Sequence, residues 1–296
     1  MQRVDIRARV REWLLDDLGH APFQIEARSE PVSEAEIRAK SEGILAGGPF
    51  LGVIFEETQR LLALDSPAPV DIRREKEDGD AIHPGDLLAV VRGHAQILLK
   101  AERTALNILS YVSEIATHTA RTVSRVGEFP ETFRGVLDTR KGRPGLMYFE
   151  KYGARVGGGV NHRLGMFDGD MIKDNDIKVA GSIGAAVDAQ WGKRYMVDAQ
   201  IEVQSLGELD EVMADGRVHM ILLDNMDTET LRAAVGRTRE RGAASRTGKR
   251  YILEASGIKG GDLAEIARTG VDYISTSAMV RSAPPLDFNM KITRVL

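Results

Sequence analysis

From residue 133 onward, short apolar runs recur at 133–137, 170–172, 196–203, 218–223, 251–253 and 271–275. Stretches with apolar residues three and four apart, such as 205–214 and 228–241, separate most of them. The short runs have strand length and the longer segments have helical periodicity. Strands alternating with helices predict a parallel sheet assembled from βαβ units. Six such units can bend into a full or incomplete α/β barrel, and a doubly wound open sheet is the competing arrangement. No Gly-x-Gly-x-x-Gly fingerprint follows any of these runs, which weakens the competitor.

The first part of the chain is patterned differently. Residues 1–18 mix charged and apolar positions at helical spacing, and 50–64 reads as a second helix after a turn at Gly47-Gly48-Pro49. Residues 70–99 read as short strands with turns at Asp78-Gly79 and Pro84-Gly85. A long helix is predicted over 101–126, with Leu106, Leu109, Val112, Ile115 and Thr119 near one face. Gly127 and Pro130 interrupt it and mark the division of the chain.

Composition narrows the chemistry. The 296 residues are 43% hydrophobic and 28% charged, as in ordinary globular proteins, and no apolar run approaches the length of a membrane span. The N-terminus lacks the continuous apolar stretch of a signal peptide. The absence of cysteine excludes disulfides, thiolate metal sites and a cysteine nucleophile. A formal charge of −4 argues against a general nucleic-acid binder.

Within this acidic chain, Arg140, Lys141, His162, Arg163 and Lys173 cluster in a few dozen residues. Such a cluster suits a ligand with several negative charges. Barrel enzymes keep their chemistry at the C-terminal ends of the strands. The predicted ends carry Asp138-Thr139-Arg140-Lys141, Lys173-Asp174-Asn175, Glu202, Asp224-Asn225, Glu254 with Ser256-Gly257, and Ser275-Thr276-Ser277. Arginine and lysine there hold carboxylates or phosphates. Glu202 and Asp224 suit sugar hydroxyls or a Mg²⁺ shared with substrate phosphates. Ser256-Gly257 and Thr276-Ser277 suit a phosphate bound by backbone N–H groups. The plainer alternatives are a structural salt bridge from Asp138 to Arg140 or Lys141, a structural His162, and a flexible loop at Gly157-Gly158-Gly159.

Several motifs carry a resemblance: Ala101-Glu102-Arg103-Thr104, Asp138-Thr139-Arg140-Lys141, Asn161-His162-Arg163 after the triple glycine, Lys173-Asp174-Asn175, Leu222-Leu223-Asp224-Asn225 and Glu254-Ala255-Ser256-Gly257. In this order they resemble the quinolinate phosphoribosyltransferases, from about residue 78 to 286. The resemblance implies an N-terminal α/β sandwich (1–127, including the connecting helix 101–126), an incomplete α/β barrel with the active site (128–284), and a C-terminal segment (285–296) returning to the sandwich. It implies a cytoplasmic, Mg²⁺-dependent enzyme that joins quinolinate to phosphoribosyl pyrophosphate, releasing pyrophosphate and CO₂. It also implies a homodimer, or a dimer-based larger assembly, with shared active sites. By motif, Arg140, His162 and Arg163 hold the acid, with Arg103 reaching in from the partner subunit. Lys141 and Lys173 face carboxylates and pyrophosphate, Glu202 and Asp224 hold ribose and magnesium, and Ser256, Gly257, Thr276 and Ser277 bind the 5′-phosphate.

Four places depart from the family pattern: residues 20–24, Asp176, Ile258, and the pair Thr276-Ser277. The last two expectations bear on the phosphate cradle, where Ile resists the positive φ open to glycine. They leave room for a paralogue acting on another aromatic acid or sugar phosphate. A non-catalytic pyridine-carboxylate sensor is the reading from another class, and Lys141, Glu202 and Asp224 argue against it.

Overall fold

The computed structural model describes residues 6–19, 31–62, 69–128, 130–191, 197–240, 245–258 and 262–296. The departure at 20–24 and residue 196 of the third strand run lie outside them. In chain order the elements are α1 (Ile6–Leu18), β1 (Val32–Ala39), β2 (Gly43–Ile44), α2 (Gly48–Leu62), β3 (Asp71–Arg74), β4 (Ala81–Ile82), β5 (Leu87–His94), α3 (Ala95–Ser124), β6 (Gly135–Leu137) and α4 (Met147–Val156). There follow β7 (Asp170–Ile172), α5 (Asp174–Ala180), α6 (Ile183–Gln190), β8 (Ala199–Val203), α7 (Leu206–Asp215), β9 (Met220–Asp224), α8 (Thr228–Glu240), β10 (Ile252–Ser256), α9 (Leu263–Ala267), β11 (Tyr273–Ser275), α10 (Ala278–Arg281) and β12 (Phe288–Val295).

The chain forms two compact units. The first comprises Met1–Ala120, Tyr148–Gly158 and Ser282–Leu296, the second Arg121–Met147 and Gly159–Arg281. The sequence reading assigns 128–284 to the barrel in one piece, whereas Tyr148–Gly158 groups with the first unit. The reason is aromatic: Phe149 is fully buried, with ring centroids 5.1 Å from Trp13 and 4.8 Å from Phe50.

In the first unit an antiparallel sheet runs β12-β1-β5-β3. Strand β1 alternates strictly, with Ser33, Ala35, Ile37 and Ala39 buried and polar residues between them. Strand β12, in the C-terminal segment, pairs along β1. Residues 95–99, expected in strands, instead open α3, since Ala95-Gln96-Ile97-Leu98-Leu99 contains no turn former. The five residues expected on one face of that helix are buried. Asp78 closes the predicted turn by accepting N–H bonds from Gly47 (2.8 Å) and Gly48 (3.0 Å) at the start of α2, and the Tyr152 hydroxyl at 2.6 Å. Burial and that carboxylate push the Tyr152 hydroxyl above its ordinary pKa. Gly157 is not simply a loop glycine: a Cβ there would run into the Ala116 carbonyl, so α4 and α3 approach closely through it.

The second unit is a parallel sheet in the order β6-β11-β10-β9-β8-β7. From β7 to β11 each strand lies beside its successor, and β6 returns against β11. The winding is therefore that of a barrel opened between β6 and β7. Beside β6, Val160 makes a parallel bridge to Leu137. One face of the strands, including Ile201, Val203, Ile221, Leu223, Leu253, Ala255 and Ile274, packs in the core with Leu209, Val212, Leu231, Val235 and Ile266. Each valine, leucine or isoleucine among them contributes about 1.5–3 kcal/mol when fully buried. The period-two alternation turns Gln200, Glu202, Leu222, Asp224, Glu254, Ser256 and Ser275 to the opposite face.

Candidate active site

A cavity of about 290 Å³ lies at the C-terminal ends of these strands. Thr139, Arg140, Lys141, His162, Arg163, Lys173, Glu202, Asp224, Asn225, Glu254, Ser256, Gly257 and Ser275 line it, with Met171 and Leu222 as apolar contacts. Eleven of the twelve site residues proposed from sequence lie in this second unit, and nine of them line the cavity, Thr276 and Ser277 being the two that do not; Arg103 is an exposed position on α3 in the first unit.

The anionic half is built on adjacent strands. Glu202 is the penultimate residue of β8 and Asp224 ends β9, and only 12% of the Glu202 side chain is exposed. Lys173 Nζ lies 3.2 Å from Glu202 Oε2. Asp224 Oδ2 accepts from Asn225 Nδ2 at 2.5 Å. Two carboxylates side by side fit a Mg²⁺ that takes its remaining ligands from phosphates and water.

The cationic half rests on a loop pinned from below. Asp138, 1% exposed, accepts from Asn161 Nδ2 and from the His162 backbone N–H, both at 2.8 Å. These bonds give Asp138 a task other than pairing with Arg140 or Lys141. Arg163 donates from its guanidinium to Gly169 O at 2.8 Å. His162 Nδ1 accepts the Arg163 N–H at 2.7 Å, and Nε2 lies 3.1 Å from Gln200 Oε1. Gln200 Nε2 donates to Glu254 Oε2 at 2.7 Å. Burial disfavours the charge on Glu254, yet hydrogen bonds led by that from His162 hold its carboxyl below the usual range. Gln200 and the buried Glu254 were not given roles from sequence. Period-two spacing was the available signal, since Gln200 shares a face with Glu202 and Glu254 with Ser256.

The departures find local explanations. Asp176 accepts the Lys173 N–H at 2.8 Å at the start of α5, as half of a capping box. Ile258 packs against the barrel core. The positive φ belongs to Gly257 (+73°), where a Cβ would meet Asn225 Oδ1 at 2.5 Å. Asn225, itself at φ 56°, donates its N–H to Ser256 O at 3.0 Å. The Thr276 hydroxyl accepts the Ala278 N–H at 3.1 Å and so serves the start of α10. At the end of β11 the residue lining the cavity is Ser275, as Ser256 is at the end of β10.

Comparison with known proteins gives this geometry its relatives. Residues 115–291 match the C-terminal domain of quinolinate phosphoribosyl transferase, and residues 23–113 match its N-terminal domain. This chain belongs to the quinolinate phosphoribosyl transferase family. Among its relatives, a probable nicotinate-nucleotide pyrophosphorylase [carboxylating] of Synechocystis is 36% identical over 96% of this chain and 92% of its own length. The chloroplastic nicotinate-nucleotide pyrophosphorylase [carboxylating] of Arabidopsis thaliana is 33% identical over 97% of this chain and 83% of its own. The solved nicotinate-nucleotide pyrophosphorylase of Francisella tularensis superposes with a TM-score of 0.83 at 29% identity, covering 99% of this chain and 98% of that one. Among the described residues no helix is long and apolar enough to cross a membrane.

Proposed function

We propose that this protein transfers the phosphoribosyl group of phosphoribosyl pyrophosphate to quinolinate in the cytoplasm, giving nicotinate mononucleotide, pyrophosphate and CO₂. The observation that carries the reading is the two-sided cavity: Arg140, Lys141, Arg163 and Lys173 share it with Glu202 and Asp224. A dicarboxylate needs the first set and a pentose pyrophosphate the second.

Arg140 and Arg163 would take the carboxylates of quinolinate, with His162 shaping the loop between them, and Lys141 would face the acid and the leaving pyrophosphate. Lys173 would turn from Glu202 towards the donor phosphates. Ser256, Gly257 and Ser275, which line the cavity, would take the 5′-phosphate, with Thr276 and Ser277 following on from Ser275. Glu202 and Asp224 would orient the ribose hydroxyls and offset positive charge growing on the sugar ring. They would also hold Mg²⁺, which neutralises the leaving pyrophosphate when bound. Aligning the pyridine nitrogen with the anomeric carbon is a positioning effect worth about 7–11 kcal/mol. Decarboxylation then follows from the electron demand of the quaternised ring nitrogen.

The test is turnover: purified protein, quinolinate and phosphoribosyl pyrophosphate, with and without Mg²⁺, scored for pyrophosphate and CO₂. Magnesium-dependent release of both is expected. Turnover with a different pyridine acid and none with quinolinate would transfer the reading to a divergent paralogue, and tight binding without turnover would make the protein a sensor. The resemblance also assigns Arg103 to the site of a second subunit. Mixed Arg103→Ala and Arg140→Ala proteins, each inactive, should regain part of the activity on subunit exchange. Proven mixed dimers with no activity would confine Arg103 to its own chain.

A further inference from the structure

We infer that Gln200 is a positioning residue for acid recognition: it selects the tautomer of His162 and thereby fixes the peptide that carries Arg163. The inference rests on the reading above only for the identity of the acid. Its basis is the direction of a hydrogen-bond chain beneath the cavity. An ionised carboxylate only accepts. With Gln200 Nε2 at 2.7 Å from Glu254 Oε2, the amide must turn its NH₂ to Glu254 and its carbonyl to His162. That carbonyl, 3.1 Å from His162 Nε2, requires a proton on Nε2. Nδ1 is then a bare lone pair, and the Arg163 N–H points at it from 2.7 Å. Every link runs the same way, from the Arg163 peptide down to Glu254.

Reversing the amide would break the order. An NH₂ group facing His162 would demand an unprotonated Nε2, placing the ring proton on Nδ1, directly against the Arg163 N–H. Glu254 asks for the same Nε2 proton but from farther off, its Oε2 lying 3.4 Å from His162 Nε2 against 3.1 Å for the Gln200 carbonyl, so the amide makes the tighter contact. Gln200 is 6% exposed and Glu254 2%, so the lower links of the chain are buried. Asp138 fixes the other side of the same loop through the His162 N–H. The Arg163 backbone is thus set between the end of β6 on one side and β8 and β10 on the other, and Arg163 lines the cavity from that fixed base.

Two measurements test this. In protein labelled with ¹⁵N-histidine, the His162 signals, assigned by difference from His162→Asn, should report the Nε2–H tautomer in the parent. In Gln200→Met, of similar length, they should report a mixture. In steady-state kinetics Gln200→Met should raise KM for quinolinate ten-fold or more, while kcat and KM for phosphoribosyl pyrophosphate change less than about three-fold. A structural lesion would move all three together. A parent in the Nδ1–H form overturns the inference whether or not the enzyme turns over and whether or not the variant folds. An unchanged KM for quinolinate in a folded Gln200→Met also overturns it. If the parent neither binds nor converts quinolinate, the assigned reaction falls, and the ¹⁵N spectra still decide the role of Gln200.

Discussion

Glu57 in the first unit and Glu254 in the second are both buried among partners, and the two are treated in opposite ways. In the first unit Glu57, its side chain 4% exposed, lies between three guanidiniums: Arg11 at 2.9 Å, Arg60 at 3.3 Å and Arg7 at 3.4 Å. In the second unit Glu254 is met by the neutral amide of Gln200 and the ring of His162. Glu57 sits on α2, and two of its arginines come from α1, so the ion cluster fastens one helix to another. Glu254 sits inside the barrel, where the nearby arginines and lysines line a cavity. A cation consumed by a structural carboxylate is lost to a ligand. Meeting Glu254 Oε2 with the neutral amide of Gln200 leaves the arginines and lysines of the wall to acid and phosphate, whereas in the first unit the same economy has no purpose.

The contrast breaks most easily at Arg140. If it is a ligand-binding cation, Arg140→Lys should lower kcat/KM for quinolinate by about 100-fold or more, because an ammonium lacks the planar two-pronged donor. Its urea midpoint should stay near that of the parent. A large stability loss with normal turnover would place Arg140 in the same class as the arginines around Glu57.

Glu57→Gln should show the reverse. Three guanidiniums would face a neutral amide, and the expected cost is about 2 kcal/mol of unfolding free energy, with turnover per folded molecule unchanged. The cost is held down because the arginines are partly exposed, at 37% to 56% of their side chains. Equal stability of parent and variant in urea titration would remove the cluster from the account of the first unit.

The smallest effect belongs to Glu254 and depends on pH. Its carboxyl titrates below the usual range in the folded state. Its contribution is therefore present above the unfolded carboxylate pKa, about 4.3, and is lost as pH falls through the lower folded value. The stability gap between parent and Glu254→Gln should be widest near neutrality and should narrow in acid. A gap independent of pH would mean that Glu254 contributes through shape alone.

Much of the second unit was legible in the chain. Its six strand runs reappear as β6 to β11, because apolar runs bounded by polar residues fix strands locally. The sites at their ends follow from that alone: Arg140, Lys141, Lys173, Glu202 and Asp224 come together because parallel strands all end on one side. The first unit was less legible. Strand β1 (Val32–Ala39) hides under alternating charge, with Glu34, Glu36 and Arg38 masking Ala35 and Ile37. Helix α4 joins the first unit through aromatic contacts distant in sequence, which no local pattern encodes. In the site, Gln200 escaped notice because a neutral amide carries no charge signal, and its importance arises only from what lies 3 Å away.

The opening between β6 and β7 has a kinetic side. Strand β7 has three residues and, among the described residues, pairs in the sheet with β8 alone, through Asp170, Met171 and Ile172. Short edge pairings are the first to open in native proteins, well below the free energy of global unfolding. Amide exchange should therefore be fastest at β7 and slowest in β9 and β10, which are flanked on both sides. Since Lys173 follows β7 directly, each such opening would carry a cationic side chain out of register with Glu202 while the rest of the barrel stays folded.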